Sequence, residues 1–350
     1  MVLRVIDLFA GCGGLSAGLV SSGGFEPVAA VEIDREAAAT YAHNFGAEHV
    51  HVLDIAEWPQ EDIPDADVVV GGPPCQGFSA LGRRNPSDPR NALWNEYLRV
   101  IRIADPDLFV LENVPQFLRS PQFVELMAET EPGGRLDKWV LESHLLNAAH
   151  YGAAQARRRA VVVGRRVGTA ALGRPRPWIQ SVVLADVLQG VLARVTETEL
   201  PGSLTTFQGK PVPGPFKMND LHVTRQPDAR SQRRFRSIPL GGNRFDLPPD
   251  LQTPGWRKHT SGSGDVMGRL HWGRPSVTIR TEFFKPEKGR YLHPEEHRPI
   301  THYEAALIQG FPDDFVWCGT KTSIARQIGN AVPVPLGRAL GELLLERGCG

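Results

Sequence analysis

The chain has 350 residues, 41% of them hydrophobic and 22% charged, which is enough for one large domain and a smaller one. No apolar run reaches the 18 residues of a membrane-spanning helix, and four cysteines without metal-ligand spacing make neither a disulfide framework nor a zinc site. The formal net charge is +0, yet residues 1–150 carry 10 Lys and Arg against 22 Asp and Glu, residues 151–280 carry 21 against 8, and residues 281–350 carry 8 against 9. The middle segment, at +13, suits a surface that meets a polyanion, with a solvated basic face as the plainer reading.

The first half alternates strand-like and helix-like segments. "RVIDLF" runs into the glycine-rich turn "AGCGGLSAGL", which can open a helix. "PVAAVEID" is a second strand-like run, followed by the helix formers of "REAAATYAHNF". "DADVVVGG" and "PDLFVLENV" bracket the helix-like "NALWNEYLRVIRIA", and "RRAVVVGRR" follows later. Such alternation predicts an α/β, Rossmann-like fold with a mostly parallel sheet covered on both faces. From about residue 173 Pro, Gly, Arg and isolated aromatics dominate, as in "GRPRPW", "PVPGPFKMND" and "RSQRRFRSIPLGGNRF". A second domain of loops and short strands is expected there. The end of the chain, "SIARQIGNAVPVPLGRALGELLLER", is again helical in pattern. The N-terminus enters a strand-like run with no signal-peptide layout, so a reducing cytosol is the expected compartment.

Several residues stand where chemistry is done. Glycines in "DLFAGCGG", at a strand-to-helix junction, let a ligand approach the backbone, although G-x-G-G is not the dinucleotide spacing. Glu32 ends the next strand, where a carboxylate can accept hydrogen bonds from a ribose diol. Asp54, in "HVLDIAEW", suits an adenine amino group or a helix cap. In "VVVGGPPCQGFSALG" a buried strand ends on two glycines and two prolines that present a lone thiol, Cys75. A core cysteine needs no such framing.

"DLFAGCGG", "GGPPCQGFS", "LENV", "QARRR" and "QIGNAVP" occur in that order, and the chain resembles the DNA (cytosine-5) methyltransferase family over essentially its whole length. The resemblance implies that Cys75 adds to carbon 6 of a flipped-out cytosine, activating carbon 5 for a methyl group from S-adenosylmethionine. It implies that Glu112 acts at ring nitrogen N3, with Asn113 holding the loop, and that Arg157 and Arg159 face the base and its phosphate from one side of an extended segment. Pro74 fixes the backbone before the nucleophile, and Gly77 leaves the following loop free to close. Phe9, Gly11, Gly13, Glu32, Ile33, Asp54, Pro74, Leu93, Asn330 and Val332 match positions that line the cofactor. No metal is implied.

The expected organisation is a catalytic S-adenosylmethionine-binding domain of residues 1–173 completed by 324–350. A small domain of 174–323 would contain a target-recognition region, 174–273, with Asn243, Gln226 and Gln232 available for adenine edges. The expected partner is double-stranded DNA, in a cytoplasmic monomer that is either paired with a restriction endonuclease for the same site or solitary. A transfer-RNA cytosine-5 methyltransferase and a catalytically inactive DNA-binding paralogue are the rival readings. A nicotinamide oxidoreductase is disfavoured by the glycine spacing and leaves Cys75 without a role.

Overall fold

The computed structural model describes residues 2–74, 90–258 and 261–347. The chain folds as two compact units, Met1–Tyr151 with Arg158–Ile179 and Val332–Gly350, and Gly152–Arg157 with Gln180–Ala331. In the first unit the strands are β1 (Leu3–Leu8), β2 (Phe25–Val31), β3 (Val50–His51), β4 (Val68–Gly71), β5 (Leu108–Asn113) and β6 (Trp139–Asn147). A two-residue strand of the second unit, β7 (Gln155–Ala156), precedes the last strand of the first, β8 (Arg158–Arg166). The seven strands of the first unit form one sheet in the order β3-β2-β1-β4-β5-β8-β6. The first five run parallel, and β8 lies antiparallel to both its neighbours.

Short apolar runs without alternation become these strands because both sheet faces are covered. Every residue of β4 and of β5 is buried. Helices α1 (Gly14–Ser21), α2 (Arg35–Phe45), α3 (Arg90–Ala104) and α4 (Pro121–Glu129) follow β1, β2, β4 and β5. Ile6, Val69, Phe109 and Val162 from the sheet pack with Trp94, Tyr97, Leu98 and Ile101 of α3 in one apolar core. Asp34 starts α2 by accepting from the backbone N–H groups of Glu36 and Ala37.

The second unit holds α5 (Leu184–Leu188), the antiparallel pair β9 (Leu204–Phe207) and β10 (Lys210–Pro213), α6 (Ala229–Ser237) and α7 (Pro254–Lys258). Then come β11 (Ser276–Val277), parallel to β7, and helices α8 (His302–Gln309) and α9 (Lys321–Asn330). The chain returns to the first unit in α10 (Val334–Arg347), which lies on α1 so closely that a Cβ on Gly18 would stand 2.5 Å from the Gly337 Cα.

The division differs from the sequence expectation at three places. The first crossing falls after Ile179 rather than 173, the last after Ala331 rather than 323, and Gly152–Arg157 joins the second unit. For the last crossing the reason lies in α9. A Cβ on Gly329 would meet the Thr281 nitrogen at 2.3 Å, so this helix end is built against the backbone of residues 280–281. The 174–273 region also contains three helices where loops and short strands were expected.

Candidate active site

Five parallel strands deliver the sequence-predicted residues to one edge of the first unit. Leu8 is level with Val31 and Gly71, and Gly71 with Leu111. The next residues along are therefore Phe9, Glu32, Gly72 and Glu112, side by side at the carboxyl ends of β1, β2, β4 and β5. β4 lies on the opposite side of β1 from β2, so the strand order reverses there, and this is where open α/β sheets bind ligands.

The turn after β1 is shaped for close approach. Phe9, Gly11 and Gly13 have φ of 57°, 56° and 88°. A Cβ on Gly11 would meet nothing within 4 Å, whereas one on Gly13 would strike the Phe45 ring at 2.4 Å. Gly13 is thus required by packing, and Gly11 borders open space. The Gly11 N–H donates to Glu32 Oε2 at 2.8 Å, and the Asp34 N–H donates to Oε1 at 2.7 Å. Burial pushes the Glu32 carboxyl up from its ordinary pKa, and those two N–H groups oppose the rise. Each carboxylate oxygen has two lone pairs, so both can accept one hydrogen bond more. Beside it Ile33 is 68% exposed, an apolar side chain left uncovered next to a fixed carboxylate.

Beneath this turn lies a polar network that the sequence reading missed. Ser16 Oγ donates to Asp7 Oδ2 at 2.6 Å and sits 2.9 Å from the Tyr41 hydroxyl. Burial pushes the Asp7 carboxyl up to about 7, with Ser16 opposing and the charge of Glu32 adding. A lone aspartate inside the apolar run "RVIDLF" was the available signal.

At the other side of the row, Glu112 is 9% exposed and pairs with Arg159, whose Nε lies 2.7 Å from Oε1. The pairing follows from register, since β8 begins where β5 ends and Asn113 is opposite Ala160. Gly72 leaves room for this carboxylate, because a Cβ there would stand 3.3 Å from Oε2. Asn113 Nδ2 donates to the Pro73 carbonyl at 2.9 Å, tying the segment that leads to Pro74 onto the end of β5. Pro74 itself is exposed. Cys75 and Gly77 lie outside the described residues, as does Cys349.

Arg157 departs from its expected place beside Arg159. It is 3% exposed, and its guanidinium donates to the carbonyls of Ile279 at 2.8 Å, Gly329 at 3.0 Å and Asn330 at 3.4 Å. It belongs to the second unit and fastens the end of α9 there, while Arg159 belongs to the first. Gln155 works beside it, donating to Gln309 Oε1 at 2.5 Å and accepting from the Ile279 N–H, while Gln309 donates to the Ile328 carbonyl. Both glutamines are buried and absent from the sequence-predicted set.

The remaining candidates divide. Asp54 Oδ1 accepts from the Ala56 N–H at 3.0 Å, which is the capping role. Leu93 is half-buried against the apolar core. Asn330 is exposed at the end of α9 in the second unit, and Val332 is buried in the first, so "GNAVP" spans the crossing between them.

Residues 3–346 match the family model for C-5 cytosine-specific DNA methylases. The chain is 32% identical to the Type II methyltransferase M1.HphI of Haemophilus parahaemolyticus, over 99% of this chain and 87% of the relative. It is 31% identical to the Type II methyltransferase M.DdeI of Desulfomicrobium norvegicum, over 97% and 88%. A crystallised putative DNA modification methyltransferase encoded within an E. coli prophage superposes with a TM-score of 0.76 at 25% identity, covering 99% of this chain and 100% of that one. The S. pombe Dnmt2 methyltransferase shares the fold at a TM-score of 0.62 and 20% identity. Family match, fold and the row of residues at the sheet edge agree, and the chain belongs to the C-5 cytosine-specific DNA methylases.

Proposed function

We propose that this methylase modifies carbon 5 of cytosine within one specific duplex DNA sequence, through a covalent adduct of Cys75 with carbon 6. The observation that carries the reading is the Glu112–Arg159 pair at the end of β5, next to the tethered Gly72–Pro74 segment that leads directly into Cys75. Arg159 holds Glu112 in one orientation, and Glu112 acts at cytosine N3 and draws electrons from carbon 6. The Cys75 thiolate then adds there, carbon 5 becomes nucleophilic, and after methylation carbon 5 loses its proton and the thiol is eliminated. Arg157, occupied by carbonyls, positions the second unit rather than touching the base.

S-adenosylmethionine, when bound, supplies an electrophilic methyl group. The turn after β1 fits it: Gly11 opens onto free space, Glu32 presents spare acceptor capacity for ribose hydroxyls, and exposed Ile33 offers an apolar face. Phe9, Gly13, Leu93, Asn330 and Val332 complete the proposed lining, with Pro74 bordering it; Asp54 has one oxygen engaged as a cap. The Type II relatives favour an enzyme that protects the site of a cognate restriction endonuclease. No helix among the described residues is long and apolar enough to cross a membrane, and a monomer in the cytoplasm is the proposed working state.

The test is bisulfite sequencing of DNA from cells expressing the protein, with purified enzyme challenged by duplex DNA carrying 5-fluorocytosine at the site found. Wild type should methylate one sequence and form a denaturation-resistant adduct, because fluorine cannot leave as a proton does. Cys75→Ser should do neither while retaining S-adenosylhomocysteine binding, since a hydroxyl lacks the thiol's usable anion fraction. Turnover by the serine variant above one-tenth of wild type overturns the assignment.

A further inference from the structure

We propose that the exposed face of α6, carrying Arg233 and Arg236, grips DNA phosphates and positions the duplex without reading its sequence. The inference rests on the proposed action on duplex DNA.

The charge of the middle segment overstates what is available to a polyanion, because many of its arginines are occupied within the fold. Arg269 is buried and donates to the carbonyls of Phe235, Ile238, His293 and Glu296. Arg157 is buried and donates to those of Ile279 and Gly329, and Arg290, just beyond the segment, donates to those of Gly241, Gly264 and Arg269. Arg244 is buried and donates to the Ser261 carbonyl. These side chains hold the unit together.

The same division runs through α6. Ser231 and Phe235 are its buried positions, and Phe235 packs with Ile238, Leu247, Leu251, Met267 and Leu292. At 100° per residue Arg233 points away from that face, with Arg236 about 60° and Gln232 about 100° round from it on one side, and all three are exposed. Arg234 turns back: its Nε donates to the Leu251 carbonyl at 2.8 Å, and its guanidinium lies 5.0 Å from the centre of the Trp256 ring. The C-terminal end of the helix is held by Arg269 through the carbonyls of Phe235 and Ile238. Two long cationic side chains three residues apart are thus presented outward by a helix that Arg234 fixes in place, while Arg230, also exposed, reaches the carbonyls of Asp250 and Gln252. Arginine's donor fork matches phosphate, and contacts of this kind set register and orientation without sequence information. His297 offers a reporter: burial, then the charges of Arg269 and Arg236, keep its ring below the usual pKa, and a phosphate arriving at Arg236 would offset the Arg236 contribution.

The experiment measures binding of a 30-base-pair duplex of random sequence across a salt series, by fluorescence anisotropy, with methylation sites mapped in parallel. Each lost phosphate contact should flatten the log–log salt slope by about 0.9 and weaken binding at physiological salt roughly five- to tenfold. R233A/R236A should therefore lose nearly two slope units and still methylate the wild-type sequence when it turns over. R233K/R236K should recover the slope, since it counts charges. K138A/R338A removes the same charge from ion-paired positions of the first unit and should leave the slope unchanged. R234A should act through thermal stability instead. His297 followed by proton NMR should rise in pKa on binding DNA to wild type and not to R233A/R236A. A folded R233A/R236A with the wild-type slope overturns the proposal, and so does one that changes the methylated sequence. A wild-type enzyme that neither binds nor methylates duplex DNA overturns the proposed function instead.

Discussion

Asp7 shows what a single side chain contributes without touching a ligand. It is buried under the turn after β1, takes a hydrogen bond from Ser16, and has its carboxyl pushed up to about 7, first by burial and further by Glu32. In the unfolded chain the same carboxyl titrates near 3.9. Between roughly pH 4 and 7 the folded state therefore holds a proton that the unfolded state has lost, and stability falls as pH rises through that window. The effect is at most about 4 kcal/mol and is complete above the folded value. Asp7→Asn keeps an acceptor for Ser16 and cannot titrate. The stability of wild type relative to this variant should decline steadily from about pH 4 to pH 7 and level off above that, as read by denaturant melts. The absolute offset depends on how the new amide is satisfied, so the slope decides. A difference independent of pH removes Asp7 as a proton holder. Glu32 above this network also has a raised pKa, but it accepts from ribose hydroxyls in full only as the carboxylate, so affinity for the cofactor should run the other way and rise as pH rises through its titration.

Elements were legible in sequence where burial imposed a pattern. The runs "RVIDLF", "DADVVVGG" and "PDLFVLENV" became β1, β4 and β5 because strands buried on both sides are continuously apolar. Glu32 was found because it directly follows a strand-like run, and Glu112 because the family resemblance singles it out; the Glu32–Gly11 and Glu112–Arg159 contacts join residues singled out from the sequence. Helix α6 was not legible: only Ser231 and Phe235 are buried in it, too few to stand out among four arginines. Arg157 was misplaced because alternation in an extended segment predicts a shared face, whereas the chain changes units between Arg157 and Arg158. The placing of α9 also involves a close backbone approach that no periodicity reveals, beside its bonds to Arg157 and Gln309. Gly329→Ala tests it, because two effects compete. Alanine gains about 1 kcal/mol of helix propensity over glycine. Its Cβ would stand 2.3 Å from Thr281 nitrogen and 2.5 Å from Arg280 carbonyl carbon, backbone atoms that cannot rotate away. Overpacking of this kind costs about 1–3 kcal/mol or more, and displacing the helix end also loosens its bonds to Arg157 and Gln309. The variant should melt several degrees below wild type. An unchanged or higher melting temperature means the helix end yields easily and does not anchor this unit.

On the scale of the whole chain, net charge conceals a division of labour, and so do the boundaries of the recognition region expected from the sequence, 174–273. Residues 174–273 are bound to residues 286–298 more tightly than their composition suggests. Arg269 reaches forward to the carbonyls of His293 and Glu296, and Arg290 reaches back to those of Gly241 and Gly264. Leu270 and Met267 donate backbone hydrogen bonds to Leu292 and Pro286, and Arg298 donates to Ala193. A recognition region exchanged between two methylases of different specificity must carry these partners with it. An exchange of 174–273 leaves half-buried Arg290 facing a foreign loop and buried Arg269 facing foreign carbonyls, and each guanidinium group left unsatisfied costs up to about 1–3 kcal/mol. An exchange of 180–300 moves both arginines with their acceptors and cuts near the unit boundary at Ile179. Both chimeras should methylate the donor's sequence, because Glu112, Arg159 and Cys75 stay with the recipient. The 174–273 chimera should melt measurably lower and lose activity first on warming. Thermal melts paired with bisulfite sequencing separate the outcomes. Equal melting temperatures refute the bracing by Arg269 and Arg290, and two folded, active chimeras that keep the recipient's sequence place readout outside residues 180–300.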